Sequence, residues 1–204
     1  MRDQTVIPKS ARISYAEFLS RDDEGNCAEW VDRHVIRLPP ATNTHSDITL
    51  FIAALLRCAL DSRQSGVVVM APFNMKTGPD LPGRSPDVLV VTSEHLSRIR
   101  EDHLEGPADV VFEIVSESSR TVDRVDKFRE YQTGGVREYW IIDPERQMVQ
   151  LSELGPDSAF HDVACRDDGS YHSEVLPGIW IDPRWLWSKP LPPMTDVLRL
   201  WGLM

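Results

Sequence analysis

Apolar and polar residues follow two different periods along the chain. Over residues 44–60, Ile48, Phe51, Ile52, Leu55, Leu56 and Ala59 fall on one stripe at three- and four-residue spacing, which predicts an amphipathic helix. Gly66 is its expected stop. Short runs rich in β-branched residues predict strands instead: a buried one over 67–70, and others at Asp87–Val91, Ala108–Ser116 and 137–142. Residues 29–32 and 34–38 read as a hairpin around Asp32-Arg33, a turn without the usual glycine. Ser14 and Glu17 make a capping-box pattern for a short helix reaching about Arg21. Ser93 caps another to about Arg100. Ser118 or Ser119 opens a helix that Gly134-Gly135 closes in left-handed fashion.

Between these elements the pattern is weaker. Residues 1–10 read as a tail, 22–26 as a loop, and 74–84, rich in Gly and Pro, as a crossing loop. Residues 147–151, 159–166 and 171–175 read as a meander, closed by 177–181 and 183–187. A proline-rich hinge at 190–193 precedes a short apolar helix over 196–201. Strands flanked by helices without strict βαβ repetition predict an α/β (α+β) fold, a single mixed sheet with helices on both faces.

The 204 residues suffice for one good-sized core. With 41% apolar and 26% charged residues, the chain has the composition of a globular protein. Its apolar runs fall far short of a membrane span, and its start lacks the basic-then-apolar order of a signal peptide. Cys27, Cys58 and Cys165 are widely spaced, with neither a zinc pattern nor a disulfide framework, so a cytoplasmic location is expected. A formal charge of −10 argues against broad, non-specific nucleic-acid binding. It leaves room for a local basic strip of Arg98, Arg100, Arg120, Arg124, Lys127 and Arg129, although Glu101, Asp102, Asp123, Asp126 and Glu130 interleave with it.

The chemistry concentrates in two strands and one helix. Glu113 lies within the apolar run Val110-Val111-Phe112-Glu113-Ile114-Val115, and a buried carboxylate is costly unless paired or bound to a cation. Asp87 heads the run Val88-Leu89-Val90-Val91. Adjacent strands lie roughly 4.8 Å apart, so both carboxylates could reach one ion. Mg²⁺ commonly takes one or two carboxylates, with water and substrate phosphate completing its shell. The Val115 backbone carbonyl could add a ligand. Lys127 would place positive charge beside the reacting phosphate, and Asp123, four residues earlier, can pair with it. The alternatives are a turn role for Asp87 and a surface ion pair for Asp123 and Lys127.

The same residues resemble the PD-(D/E)xK nuclease signature, with valine where the lysine normally stands. The Uma-type restriction endonuclease family moves that lysine onto the following helix. The chain resembles it through Phe112-Glu113-Ile114-Val115-Ser116, Asp123-x-x-x-Lys127-x-x-x-Tyr131, and the run from Gly135 to Pro144. Ala28-Glu29-Trp30-Val31-Asp32, Pro39-Pro40 with His45, and Leu176-Pro177-Gly178-Ile179 also match.

The resemblance implies a restriction-endonuclease-like domain over about 13–187, between a tail at 1–12 and an extension at 188–204. It implies Mg²⁺-dependent hydrolysis of DNA, with Mn²⁺ able to substitute, leaving 5′-phosphate and 3′-hydroxyl ends. Asp87 and Glu113 become metal ligands and Lys127 the catalytic lysine. Glu29 becomes an extra acidic residue near the metal, and His45 a residue that could face the cleft. A homodimer would serve cutting of both strands. Arg33 stands where the family usually has glycine, and Ala28 replaces a common tyrosine. A catalytically inactive nucleic-acid-binding or interaction module on the same fold is the second expectation, and a hydrolase of another phosphoester the third.

Overall fold

The computed structural model describes residues 12–21, 27–117 and 119–204. The expected tail at 1–10, the loop at 22–26 and Ser118 lie outside them. Ser14 opens α1 (Tyr15–Leu19) with a complete capping box: its hydroxyl accepts from Glu17 N–H at 3.2 Å, and Glu17 accepts Ser14 N–H at 2.6 Å. β1 (Ala28–Val31) and β2 (His34–Arg37) form the hairpin. Its turn needs no glycine because Asp32 and Arg33 both adopt left-handed φ, 50° and 68°, as a two-residue type I′ turn demands.

α2 (Asn43–Arg63) begins at Thr42, whose hydroxyl accepts from His45 N–H at 3.2 Å. Gln64, not Gly66, ends it. Gln64 turns left-handed at φ 49° and donates its N–H to the Leu60 and Asp61 carbonyls, while Gly66 already begins β3 (Gly66–Met70). Downstream come β4 (Asn74–Lys76), β5 (Gly83–Arg84), β6 (Val88–Thr92), a 3₁₀ turn at Ser93–Arg98, β7 (His103–Glu105) and β8 (Val110–Ile114). A wide turn of π-helix at Val122–Lys127 then runs into α3 (Phe128–Gly134), which ends at Gly135 with φ 87°. The rest comprises β9 (Glu138–Asp143), β10 (Met148–Leu154), β11 (Phe160–Val163), β12 (Tyr171–His172), β13 (Trp180–Ile181), α4 (Pro183–Trp187) and α5 (Met194–Leu200).

The α/β class holds, with a mixed sheet flanked by helices. The strands are divided, however, among more than the one sheet expected. The main sheet has the order β11-β10-β9-β8-β6-β3, with β8 and β9 parallel and the other pairs antiparallel. A second sheet, β2-β1-β5-β4-β7, recruits the crossing loop at 74–84. β12 leaves the meander to pair with β13. β3 is the edge of the main sheet and only half-buried, not the buried strand its valines predict.

Side-chain alternation gives the main sheet two cores. Val88, Val90, Val110, Phe112, Ile114, Trp140 and Ile142 face the stripe of α2 together with Leu186, Val197, Leu198 and Trp201. Leu89, Val91, Val111, Val115, Tyr139 and Ile141 face Met75 and Leu104 of the second sheet and Tyr131 of α3. The C-terminal helix therefore packs on its own domain through Leu198 and Trp201, while Leu200 points to solvent.

Candidate active site

β6 and β8 pair with Val88 opposite Phe112. One step further along that register, Asp87 stands opposite Glu113, on the face of the second core. Asp87 is pinned at the strand end, where one carboxylate oxygen accepts Ile114 N–H at 2.7 Å. Its other oxygen lies 3.1 Å from His45 Nε2, delivered across the sheet end by the first turn of α2. The expected strand adjacency is thus present, and His45 meets Asp87 at that strand end.

Glu113 is sealed, 3% exposed. Its Oε1 accepts from Lys127 Nζ at 2.8 Å and from Tyr131 Oη at 2.9 Å. Lys127 is equally sealed, so it is no surface ion pair. Its Nζ also lies 3.1 Å from Asp123 Oδ1 and 3.4 Å from Glu29 Oε1. The wide turn carries both Asp123 and Lys127 inward, and such turns often occur at functional sites. Tyr139 Oη holds the turn by donating to the Asp123 carbonyl at 3.0 Å. Asp123 Oδ1 is buried, and the Lys127 ammonium meets it as an ion pair without hydrogen-bond geometry. Val115 is buried, its N–H donating to the Ile142 carbonyl at 2.7 Å.

Two residues with no periodic signal complete the cluster. Arg84, buried at the end of β5, donates from Nη1 to Glu29 at 2.7 Å and bidentately to Glu130 of α3 at 2.7 Å per bond. Ser85 N–H donates to Glu29 at 3.3 Å. In sequence Arg84 is one arginine in a loop of glycines and prolines. Glu130 reads as part of a solvated helix face.

Five carboxylates, Glu29, Asp87, Glu113, Asp123 and Glu130, thus meet two cationic side chains, Arg84 and Lys127, and the His45 imidazole. The proton affinities of these groups move in different directions. Burial, with Asp123 and Asp87 adding to it, holds the Glu113 carboxyl well above the usual carboxylate range, against the opposing pull of Lys127. Burial works to lower Lys127, but Glu113, Glu29, Tyr131 and Asp123 outweigh it and hold the ammonium above its ordinary value. His45 also rises: burial opposes protonation, and the hydrogen bond and charge of Asp87 overcome it. Glu29 goes the other way, because Lys127 and Arg84 outweigh its burial. Among the described residues, no three His, Cys, Asp or Glu side chains converge as a metal cage.

The expected basic strip is not a field of free charge. Arg100 pairs with Glu105, Arg120 with Asp143 and Glu145, and Arg124 Nη2 lies 3.7 Å from Asp143. Lys127 points inward.

Mixed sheets flanked by helices define an α/β fold, with two strand-end carboxylates and a lysine from the next helix gathered at one end of the main sheet. The family model described as "Uma2: Putative restriction endonuclease" matches residues 15–184, and the chain belongs to that family. It is also similar in fold to a solved structure described as "a putative nuclease belonging to DUF820 from Anabaena variabilis ATCC 29413". That likeness has a TM-score of 0.69 at 16% identity, covering 86% of this chain and 97% of the other. No curated protein matches the sequence.

Proposed function

We propose that the protein is a divalent-metal-dependent endonuclease hydrolysing DNA phosphodiester bonds. One observation carries the reading: Asp87, Glu113 and Lys127 converge at the ends of two paired strands, in a pocket with more negative than positive charge. The donor set fits Mg²⁺, or Mn²⁺ in its place. Both take oxygen ligands, and Mg²⁺ needs only one or two carboxylates when water and substrate phosphate fill the remaining positions. Asp87 and Glu113 would hold the ion, with the Val115 carbonyl as a further ligand. When bound, it supplies positive charge to the phosphate and lowers the pKa of a coordinated water.

The chain's own residues do the rest. Lys127 brings a fixed ammonium to the edge of Glu113, where it stabilises negative charge growing on the phosphate. Asp123 and Tyr131 fix the two ends of that ion pair. His45 orients Asp87 by its second oxygen, and Glu29 lies behind Lys127 as an extra acidic group, itself paired to Arg84. Water oxygen bonds to phosphorus as the bond to the 3′ oxygen breaks, leaving a 5′-phosphate and a 3′-hydroxyl.

We place the protein in the cytoplasm, where its three exposed cysteines, free of disulfides, stay reduced. No described helix is long and apolar enough to cross a membrane. A homodimer would present one such site to each DNA strand. The net charge of −10 and the paired arginines favour a second reading, a non-catalytic interaction module on the same fold.

Supercoiled plasmid incubated with Mg²⁺ or Mn²⁺ separates the two. Nicking that stops with chelator and disappears in Glu113→Gln supports the nuclease. Nicking that survives Glu113→Gln, or none with either metal, overturns it.

A further inference from the structure

We propose that Arg84 is a positioning residue of this site, holding Lys127 on Glu113 by neutralising Glu29. The inference rests on the nuclease reading for its catalytic consequence, but not for its geometry.

Lys127 has three carboxylates within 3.4 Å: Glu113 at 2.8, Asp123 at 3.1 and Glu29 at 3.4 Å. A lysine ammonium is a point charge on a flexible stem, so its position is a competition among them. Arg84 decides that competition. Its Nη1 takes the Glu29 oxygen that Lys127 does not approach. Glu29 is thereby left as the most distant of the three. The other edge of the guanidinium grips Glu130, one turn beyond Lys127 on the same helix, through two parallel bonds. Such planar bidentate pairing fixes direction as well as distance. One buried side chain thus ties the hairpin carrying Glu29 to the helix carrying Lys127. Arg84 also lies three residues before Asp87, so a single short segment places a candidate metal ligand and the support for the lysine.

Without the guanidinium, Glu29 would be a buried carboxylate whose remaining cation is Lys127, and the ammonium would move toward it and away from Glu113. Arg84→Met is therefore expected to lower kcat about 10–100-fold, the usual cost of losing a supporting partner, with KM for DNA unchanged. Adding Glu29→Gln removes the competing charge. The double variant should be no slower than Arg84→Met alone, a non-additivity that marks one coupled unit.

A second readout does not need activity. The chain has four lysines, Lys9, Lys76, Lys127 and Lys189, so selectively labelled lysine side chains give a short NMR spectrum, with Lys127 assigned from its loss in Lys127→Arg. The Lys127 signal should shift in Arg84→Met and return toward its original position in Arg84→Met/Glu29→Gln. If Arg84→Met does not fold, Arg84→Lys, which keeps charge but not the fork, should show the same shift to a smaller degree. An unmoved Lys127 signal in a folded Arg84 variant overturns the proposal, as do effects of the two substitutions that simply multiply. Absence of nicking in the unaltered protein would instead overturn the nuclease reading, and the spectrum would still decide the role of Arg84.

Discussion

Asp109 and Glu113 stand four residues apart on one stretch of chain, so both project to the same face of the main sheet. Both are sealed, 0% and 3% exposed, yet they are held in opposite ways. One Asp109 oxygen accepts the N–H and hydroxyl of Thr92 at 2.8 and 2.9 Å. The other lies 2.8 Å from His95 Nδ1 and 3.5 Å from Arg137. Burial pushes the Asp109 carboxyl up, but the two Thr92 hydrogen bonds and His95 outweigh it and hold it below the ordinary range. Glu113 has two donors, but burial, with Asp123 and Asp87 adding to it, holds it high against the pull of Lys127. Burial alone therefore does not set the proton affinity of a carboxylate. What separates these two is whether the neighbours supply donors or further negative charge. Asp109 ties the start of β8 to the end of β6 and the 3₁₀ turn after it, whereas Glu113 shares its one cation, Lys127, with Asp123 and Glu29.

The strongest way to break this comparison is to exchange the losses. Glu113→Gln should abolish metal-dependent nicking, by about 10³-fold or more, while its urea midpoint stays near that of the parent protein, because the amide relieves a crowded negative pocket. Asp109→Ala should do the reverse. It should lose about 1–3 kcal/mol in urea melts, as expected when the Thr92 donors at a buried carboxylate lose their acceptor, while each folded molecule nicks at the original rate. A large stability loss in Glu113→Gln would remove the distinction.

Acid sharpens it. Asp109 has its pKa lowered by folding, so its contribution is present above the unfolded value of 3.8 and is lost as pH falls through the lower folded one. The stability gap between the parent protein and Asp109→Asn should therefore stay constant at neutral and mildly acidic pH. It should close only below about pH 4, as followed by urea midpoints across the range.

The smallest effect concerns Tyr131. Tyr131→Phe removes one hydrogen bond to Glu113 and should cost about 1 kcal/mol in catalysis or stability, seen as a several-fold slower nicking rate. An effect as large as that of Glu113→Gln would move Tyr131 from support into the reaction itself.

Where local pattern and local chemistry coincide, the sequence was readable. The stripe of α2, the runs around Asp87 and Glu113, and the i, i+4 spacing of Asp123 and Lys127 each need only a few consecutive residues, and each lies where those residues indicate. Beyond the β1–β2 hairpin, the second sheet was not readable. β5 has two residues and β4 and β7 three each, too short for a period of two to declare itself, and they form because neighbouring backbone is already in place. Arg84 was hidden for the same reason, since its partners Glu29 and Glu130 lie 55 and 46 residues away. β3 misled because a run of valines looks alike at the centre and at the edge of a sheet. At the end of α2, glycine's freedom is not unique, and Gln64 took the left-handed position two residues earlier.

The wide turn at Val122–Lys127 has a bearing on how this chain can change over generations. A π turn holds one more residue than an α turn while leaving the helix on either side in phase. Deleting a residue between Asp123 and Lys127 would let the coil tighten, and Phe128–Gly134 could keep its seat against Tyr139. The two buried charges would lose their spacing. A deletion of one codon there could thus leave a well-folded descendant with a silent pocket, and an insertion at the same place could restore it. Within such a lineage, length at this turn would separate working copies from idle ones.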